Sequence, residues 1–277
     1  MSYNPTLGRF VQRDPIGYAD GMNVLQAYRS NPSRYVDPMG TISGPGPATF
    51  YESWSSEQRS NWMRDFHQEY GSSIADSARK NGVPQELLAA VVANEVIDWG
   101  RSEQAAENLG FGYSVGPAQI TPSTTDREGV WTPEELRAID GIAYRNRGRG
   151  AGLTDPQDIK RELLKWPDIN IDMAGRLMSK YLKKLCQQSA VGQIGSSFQD
   201  HVLGSGFDLA SFCNRCGRAS DDIVGMDVPY NVIAAMAAIW NNGPGITQVK
   251  DIPVNAPNAH IHSQNAQQLD GLLSNRW

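Results

Sequence analysis

After residue 50 the apolar positions of the chain recur with a helical period over most of its length; before residue 40 no such period lasts beyond about two turns. The densest run begins at Val83. Leu87, Val91, Glu95 and Trp99 recur at intervals of four, flanked by Leu88 and Val92, so a helix places one carboxylate in an apolar row. Pro84 suits a first helical position, Glu86 the positive end of the helix dipole, and Gly100 a left-handed cap. Upstream, the pattern predicts two helices over 54–70 and 72–81, with Ser55 or Ser56 as N-cap and Trp54, Trp62, Met63 and Phe66 pointing inward. Downstream it predicts helices over 133–139, near 155–166, and over 232–240 after Pro229. A shorter helix is expected over 264–273 in an Asn- and Gln-rich tail. The fold class expected is mainly α.

Residues 1–40 differ in kind. They are rich in Tyr, Asn, Pro, Gly and Arg and hold two Asp-Pro-x-Gly turns, Asp14 to Gly17 and Asp37 to Gly40, which predict short strands joined by turns. Residues 41–48 have the composition of a linker, which places the domain boundary there and a second domain over 49–277. The run from Tyr144 to Gly150, basic and broken by glycine, reads as a solvated loop. Residues 187–228 form an insertion too mixed in composition to assign.

The 277 residues and the apolar fraction suffice for a buried core. A net charge of −5 argues against a nucleic-acid-binding surface as the main business, since neutralising phosphates needs a basic face. No run of about eighteen apolar residues predicts a membrane span, and the N-terminus lacks the pattern of a secretory signal. Cys186, Cys213 and Cys216 leave three readings open: a local disulfide in Cys213-Asn-Arg-Cys216, half of a zinc site with His201 as the nearest histidine, or reduced thiols. Metal is the least favoured of these, and no cofactor is expected.

Glu95 is the candidate for chemistry. Burial beside Val91 and Trp99, near the negative end of its helix, disfavours the charged form, so a raised pKa and a general-acid role are expected. A helix glutamate bending out to solvent is the structural alternative.

The segment Tyr113-Ser-Val-Gly-Pro-Ala-Gln-Ile-Thr-Pro122 resembles the Ser-x-Gly-x-x-Gln-Ile signature of lytic transglycosylases and goose-type lysozymes, where a glutamate-bearing helix precedes that turn. Asp168-Ile-Asn-Ile-Asp-Met-Ala-Gly175 with Tyr181-Leu182, and Ala237-Ala-Ile-Trp-Asn-Asn-Gly-Pro-Gly245, resemble two further blocks of that family in its order. The resemblance implies a lysozyme-like fold, peptidoglycan as substrate and Glu95 as the catalytic acid and base. It also implies a cleft lined by Ser114, Gly116, Gln119, Ile120, Trp240 and Asn241. Goose-type enzymes carry an aspartate after Gln-hydrophobic, whereas Thr121 follows Ile120 here; Asp98 and Asp126 are the candidate second carboxylates. Without one, the single-carboxylate transglycosylase route is favoured over hydrolysis. Val96 stands where most transglycosylases have Ser, and Trp240 where the block has Tyr.

The first forty residues resemble the C-terminal end of the core of rearrangement-hot-spot (Rhs) proteins, whose β-cage encloses a C-terminal toxin. That resemblance implies Asp14 and Asp37 as an autoproteolytic pair cutting after Gly40, near Thr41, although both are equally turn-formers before proline. The family usually has Leu in place of Thr41. Together the two resemblances imply an antibacterial effector with three protein partners: the rest of the cage, a secretion apparatus of type VI or related kind, and a cognate immunity protein. It would be made in the cytoplasm and act in a target cell's periplasm.

Overall fold

The computed structural model describes residues 55–98, 114–150, 152–218 and 225–250, together with two short antiparallel pairings near the N-terminus. Those pair Tyr3–Asn4 with Arg9–Phe10 and Tyr35–Val36 with Gly44–Pro45, the last of these within the stretch read from sequence as a linker. Asp14, Asp37, Thr41, the domain boundary, Trp54, Trp99, Gly100 and the 264–273 helix lie outside the described residues, as does the side chain of Asp98.

The described residues from 55 onward are mainly helical. Helix α1, Ser56–Asn81, starts at Ser55, whose hydroxyl caps the Gln58 N–H while the Gln58 side chain caps Ser55 in return. The expected break near Ser72 does not occur. Met63, Phe66, Tyr70, Ile74 and Ala78 keep one buried face through Gly71, and the tertiary contact along that face outweighs the weak propensity of one glycine. The helix stops at Gly82, in the left-handed conformation at φ 60°.

Helix α2, Gln85–Asp98, is the centre of the core. It is not amphipathic: every residue from Leu87 to Glu95 is buried, because α1 and two later helices, α6 (Pro167–Ala190) and α8 (Tyr230–Asn242), pack around it. Helix α8 is likewise buried from Asn231 to Ile239. Glu86 has a second role besides the dipole, since its Oε2 accepts the Val228 N–H at 3.2 Å and ties the approach of α8 to the start of α2.

Between these lie α3 (Pro122–Arg127), α4 (Pro133–Arg149) and α5 (Pro156–Leu164). Helix α4 corrects the sequence reading at its C-terminal end, where the basic run from Tyr144 is its last two turns, not a loop. Arg147 and Arg149 sit at the negative end of the dipole, and Gly150, at φ 62°, supplies the cap. Arg147 and Asn146 also donate to the Thr154 and Leu153 carbonyls, which fastens the following loop to the helix. The run is nonetheless largely exposed, as a solvated segment should be.

Helices α1 and α6 pack most extensively, and one glycine permits it. A Cβ on Gly175 would stand 2.2 Å from the Ser77 hydroxyl, which itself donates to the Ile171 carbonyl at 2.9 Å. Nearby, Arg176 donates to both Glu135 oxygens at 2.7 and 2.8 Å and to Asp172 at 2.6 Å, joining α4 to α6. Burial alone would raise the Glu135 carboxyl, but the Arg176 bonds and the Thr132 N–H outweigh it and hold it below the ordinary value.

The unassigned stretch after α6 is mostly helical. A short turn, Ser196–Phe198, runs into a π-helix, Gln199–Gly204, and then α7, Leu209–Arg218. The cysteine pairing differs from the local one considered from sequence: Cys186 of α6 is bonded to Cys213 of α7, and Cys216 is free. The zinc reading falls with it, since Cys213 has no thiolate to offer. No described helix is long and apolar enough to cross a membrane.

Candidate functional site

Four elements far apart in sequence meet around Glu95, and each is held by an identifiable contact. The first is the turn over 114–121. Val115 and Ile120 exchange backbone hydrogen bonds at 3.0 and 3.1 Å, so four residues must close the turn between them. Gly116 and Gln119 do so with positive φ, 73° and 48°. The Gly116 position admits no side chain, because a Cβ would lie 2.5 Å from both the Asn170 amide nitrogen and the Leu164 carbonyl. Gln119 is the single non-glycine residue with positive φ among the described residues, a strained conformation that the surrounding bonds must enforce.

Those bonds come from inside and outside the turn. Ser114 Oγ donates to Gln119 Oε1 at 2.7 Å, and Gln119 Nε2 donates to the Gly116 carbonyl at 2.9 Å, which fixes the amide. From α6, fully buried Asn170 donates to the Val115 and Leu164 carbonyls at 2.7 and 2.9 Å and accepts the Ala118 N–H at 2.7 Å. One side chain therefore clamps the turn to the start of α6, with every polar atom of its amide used.

The clamp orients the cleft. Glu95, Gln119, Ile120, Thr121, Thr124, Leu177, Tyr181, Trp240 and Asn241 surround a space of about 180 Å³. Glu95 is only 7% exposed, which removes the solvent-facing alternative. Asn241 Nδ2, which also reaches the Ala237 carbonyl, donates to Glu95 Oε1 at 3.3 Å. Opposite, Tyr181 and Trp240 meet edge to face with centroids 6.4 Å apart. Burial, and next the charge of Glu128, raise the Tyr181 hydroxyl above its ordinary pKa, so it stays protonated and can donate.

Of the residues singled out in the sequence, Glu95, Gln119, Ile120, Trp240 and Asn241 line the cleft. Ser114 and Gly116 stand behind it and hold Gln119 and the turn. Asp126 is not brought in. It sits on the far side of α3, accepting from the buried Lys160 and from Gln157, both at 2.6 Å. Among the described lining residues, Glu95 is the one carboxylate. Sequence reasoning had not assigned Thr121, Thr124, Leu177 or Tyr181 to the cleft. Tyr181 was visible in the Tyr181-Leu182 block, whereas Thr121 and Thr124 look like an ordinary helix cap and do also serve as one.

A larger groove of about 710 Å³ lies between α1, α4 and α6. Its carboxylates are already engaged by the protein: Asp172 by Arg176 and Lys80, Glu135 by Arg176, Asp168 by Ser73 and Asp76 by Arg79. Among the described residues no three His, Cys, Asp or Glu side chains converge as a metal set. Comparison with protein-family models, with curated proteins and with solved structures gives no match, so the cleft is read from its own geometry.

Proposed function

We propose that residues 49–277 form a lysozyme-like enzyme that cleaves the β-1,4 bond between N-acetylmuramic acid and N-acetylglucosamine in peptidoglycan, as a lytic transglycosylase. The observation that carries the proposal is one buried carboxyl, Glu95, in a cleft whose other described walls are aromatic, aliphatic, amide and hydroxyl side chains. A carboxyl that hands over its proton there serves as a general acid. The walls suit a sugar: Trp240 and Tyr181 offer faces and edges for stacking, and Gln119, Thr121, Thr124 and Asn241 offer donors and acceptors for hydroxyl and acetamido groups.

In this reading Glu95 gives its proton to the glycosidic oxygen as the bond from the sugar's C1 breaks. The substrate's acetamido oxygen closes on C1 in place of the departing oxygen. Glu95, now a carboxylate, takes the proton of the 6-hydroxyl as that oxygen displaces the acetamido group, leaving a 1,6-anhydro end and a protonated Glu95. No second carboxylate is required, in keeping with Asp126 being paired elsewhere.

The first forty residues extend the proposal to delivery. As the end of an Rhs core they would make the enzyme an antibacterial toxin, exported by a type VI or related apparatus and active in a target cell's periplasm. An immunity protein in the producer would plug the Glu95 cleft.

Purified sacculi incubated with wild type and Glu95→Gln, followed by mass analysis of soluble products, test the enzyme reading. Anhydro-muropeptides, reduced at least about 100-fold by the substitution, are expected. Reducing ends that depend on Glu95 would replace transglycosylation by hydrolysis. No release by wild type, or equal release by the variant, overturns the assignment of Glu95.

A further inference from the structure

The chain leaves α6 at Ala190 and returns as α8 at Tyr230, and the first part of the excursion, as far as Cys213, is closed covalently. Cys186, in the last turns of α6, is bonded to Cys213 in the middle of α7, across 27 residues and with Cα atoms 5.4 Å apart. Inside that loop Phe198, Val202, Leu203, Leu209 and Phe212 are buried, and the π-helix packs against α8. Asn231, at the start of α8, donates to the Leu203 carbonyl. At the other end of the same helix Trp240 and Asn241 reach the Glu95 cleft. The disulfide therefore fastens the platform on which α8 rests.

The third cysteine is placed so as not to interfere. Cys216 lies one helical turn beyond Cys213, partly buried. Burial, only partly opposed by Arg215, pushes its thiol up to about 11. At neutral pH roughly one molecule in ten thousand carries the thiolate, the species that would attack the neighbouring bond.

We infer that Cys186–Cys213 is a redox clasp: the protein reaches its full rigidity in an oxidising compartment, and in a reducing one the 199–218 platform and the C-terminal end of α8 loosen together. Closure joins two thiols with loss of two protons and two electrons. A small-molecule disulfide such as oxidised glutathione accepts them and departs as two thiols. The inference is independent of what the cleft binds.

The full chain, purified with oxidised glutathione or with excess dithiothreitol, supplies the test. Thiol titration in denaturant should find one thiol in the oxidised form and three in the reduced form, and peptide mapping should join Cys186 to Cys213. Opening a loop of this length should lower the melting temperature by about 10 °C. Cys216→Ser should keep the whole response to reductant, whereas Cys186→Ser combined with Cys213→Ser should melt low and not respond. If the double variant does not fold, hydrogen exchange on the wild type decides: reduction should speed exchange over 199–218 and at the end of α8, leaving α2 protected. Three thiols after oxidation, a Cys213–Cys216 link, or melting within about 2 °C with and without reductant would overturn the inference.

Discussion

Replacing Asn170 by alanine removes three hydrogen bonds from a side chain with no exposure at all, and the structure decides which of the three matter. The Val115 carbonyl keeps the Ile120 N–H at 3.1 Å, so its loss is small. The Ala118 N–H and the Leu164 carbonyl lose the partners that Asn170 supplied, and a buried polar group left unmade costs about 1–3 kcal/mol. With water entering part of the vacated space, the expected destabilisation is about 3 kcal/mol, which for a domain of this size lowers the melting temperature by roughly 6–12 °C. Asn170→Asp is the sharper variant. It keeps the shape and the bond from Ala118 but aims an oxygen at two carbonyls, so it should cost at least as much as alanine. Urea denaturation measures both, and hydrogen exchange adds the local signature, faster exchange at Ala118 and Gln119 than in α2. An alanine variant less than about 1 kcal/mol below wild type, or one with unchanged exchange in the turn, would refute the clamp and with it the account of how Gln119 is held at positive φ.

Gly175→Ala should separate α1 from α6, because its Cβ would stand 2.2 Å from the Ser77 hydroxyl; a loss of about 2 kcal/mol in urea melts is expected, partly recovered by adding Ser77→Ala. Arg176→Met leaves Glu135 and Asp172 without their shared cation; since both are partly solvated, about 2 kcal/mol at neutral pH is expected. Glu135 titrates below its unfolded value, so its contribution is fully present above about pH 4.5 and is lost as pH falls through the folded value. The gap between wild type and Arg176→Met, followed by thermal melts from pH 7 downward, should therefore stay level to about pH 5 and then narrow; a gap that widens in acid would contradict the pairing.

Local chemistry was enough to write down much of the scaffold. The cap at Ser55, the proline that opens α4 and the apolar period of α8 act through neighbours within a few positions, which is why they can be recognised in a linear string. The same local reasoning broke α1 at Gly71 and ended α4 too soon at Ile139. A single glycine inside a helix costs only about 1 kcal/mol and arginine is itself a good helix former, so the buried face from Met63 to Ala78 and the cap at Gly150 prevail. The pattern marked Glu95 as anomalous but treated its helix as one-sided. That every side of α2 is covered depends on α1, α6 and α8, which no window of the sequence contains.

What the sequence by itself determined is therefore the placement of α1, α2, α4, α5 and α8, though not α3 or the helical stretch over 196–218, and the presence of one carboxyl among apolar residues, because periodicity and capping are short-range. Only the tertiary structure decided that Asn170 holds the 114–121 turn, that Ser114 and Gly116 support the cleft while Tyr181 lines it, that Asp126 belongs to Lys160, and that Cys213 joins Cys186. Each of those pairings spans a separation that sequence spacing does not encode, or turns on which way a side chain points, and both are fixed only when the helices pack.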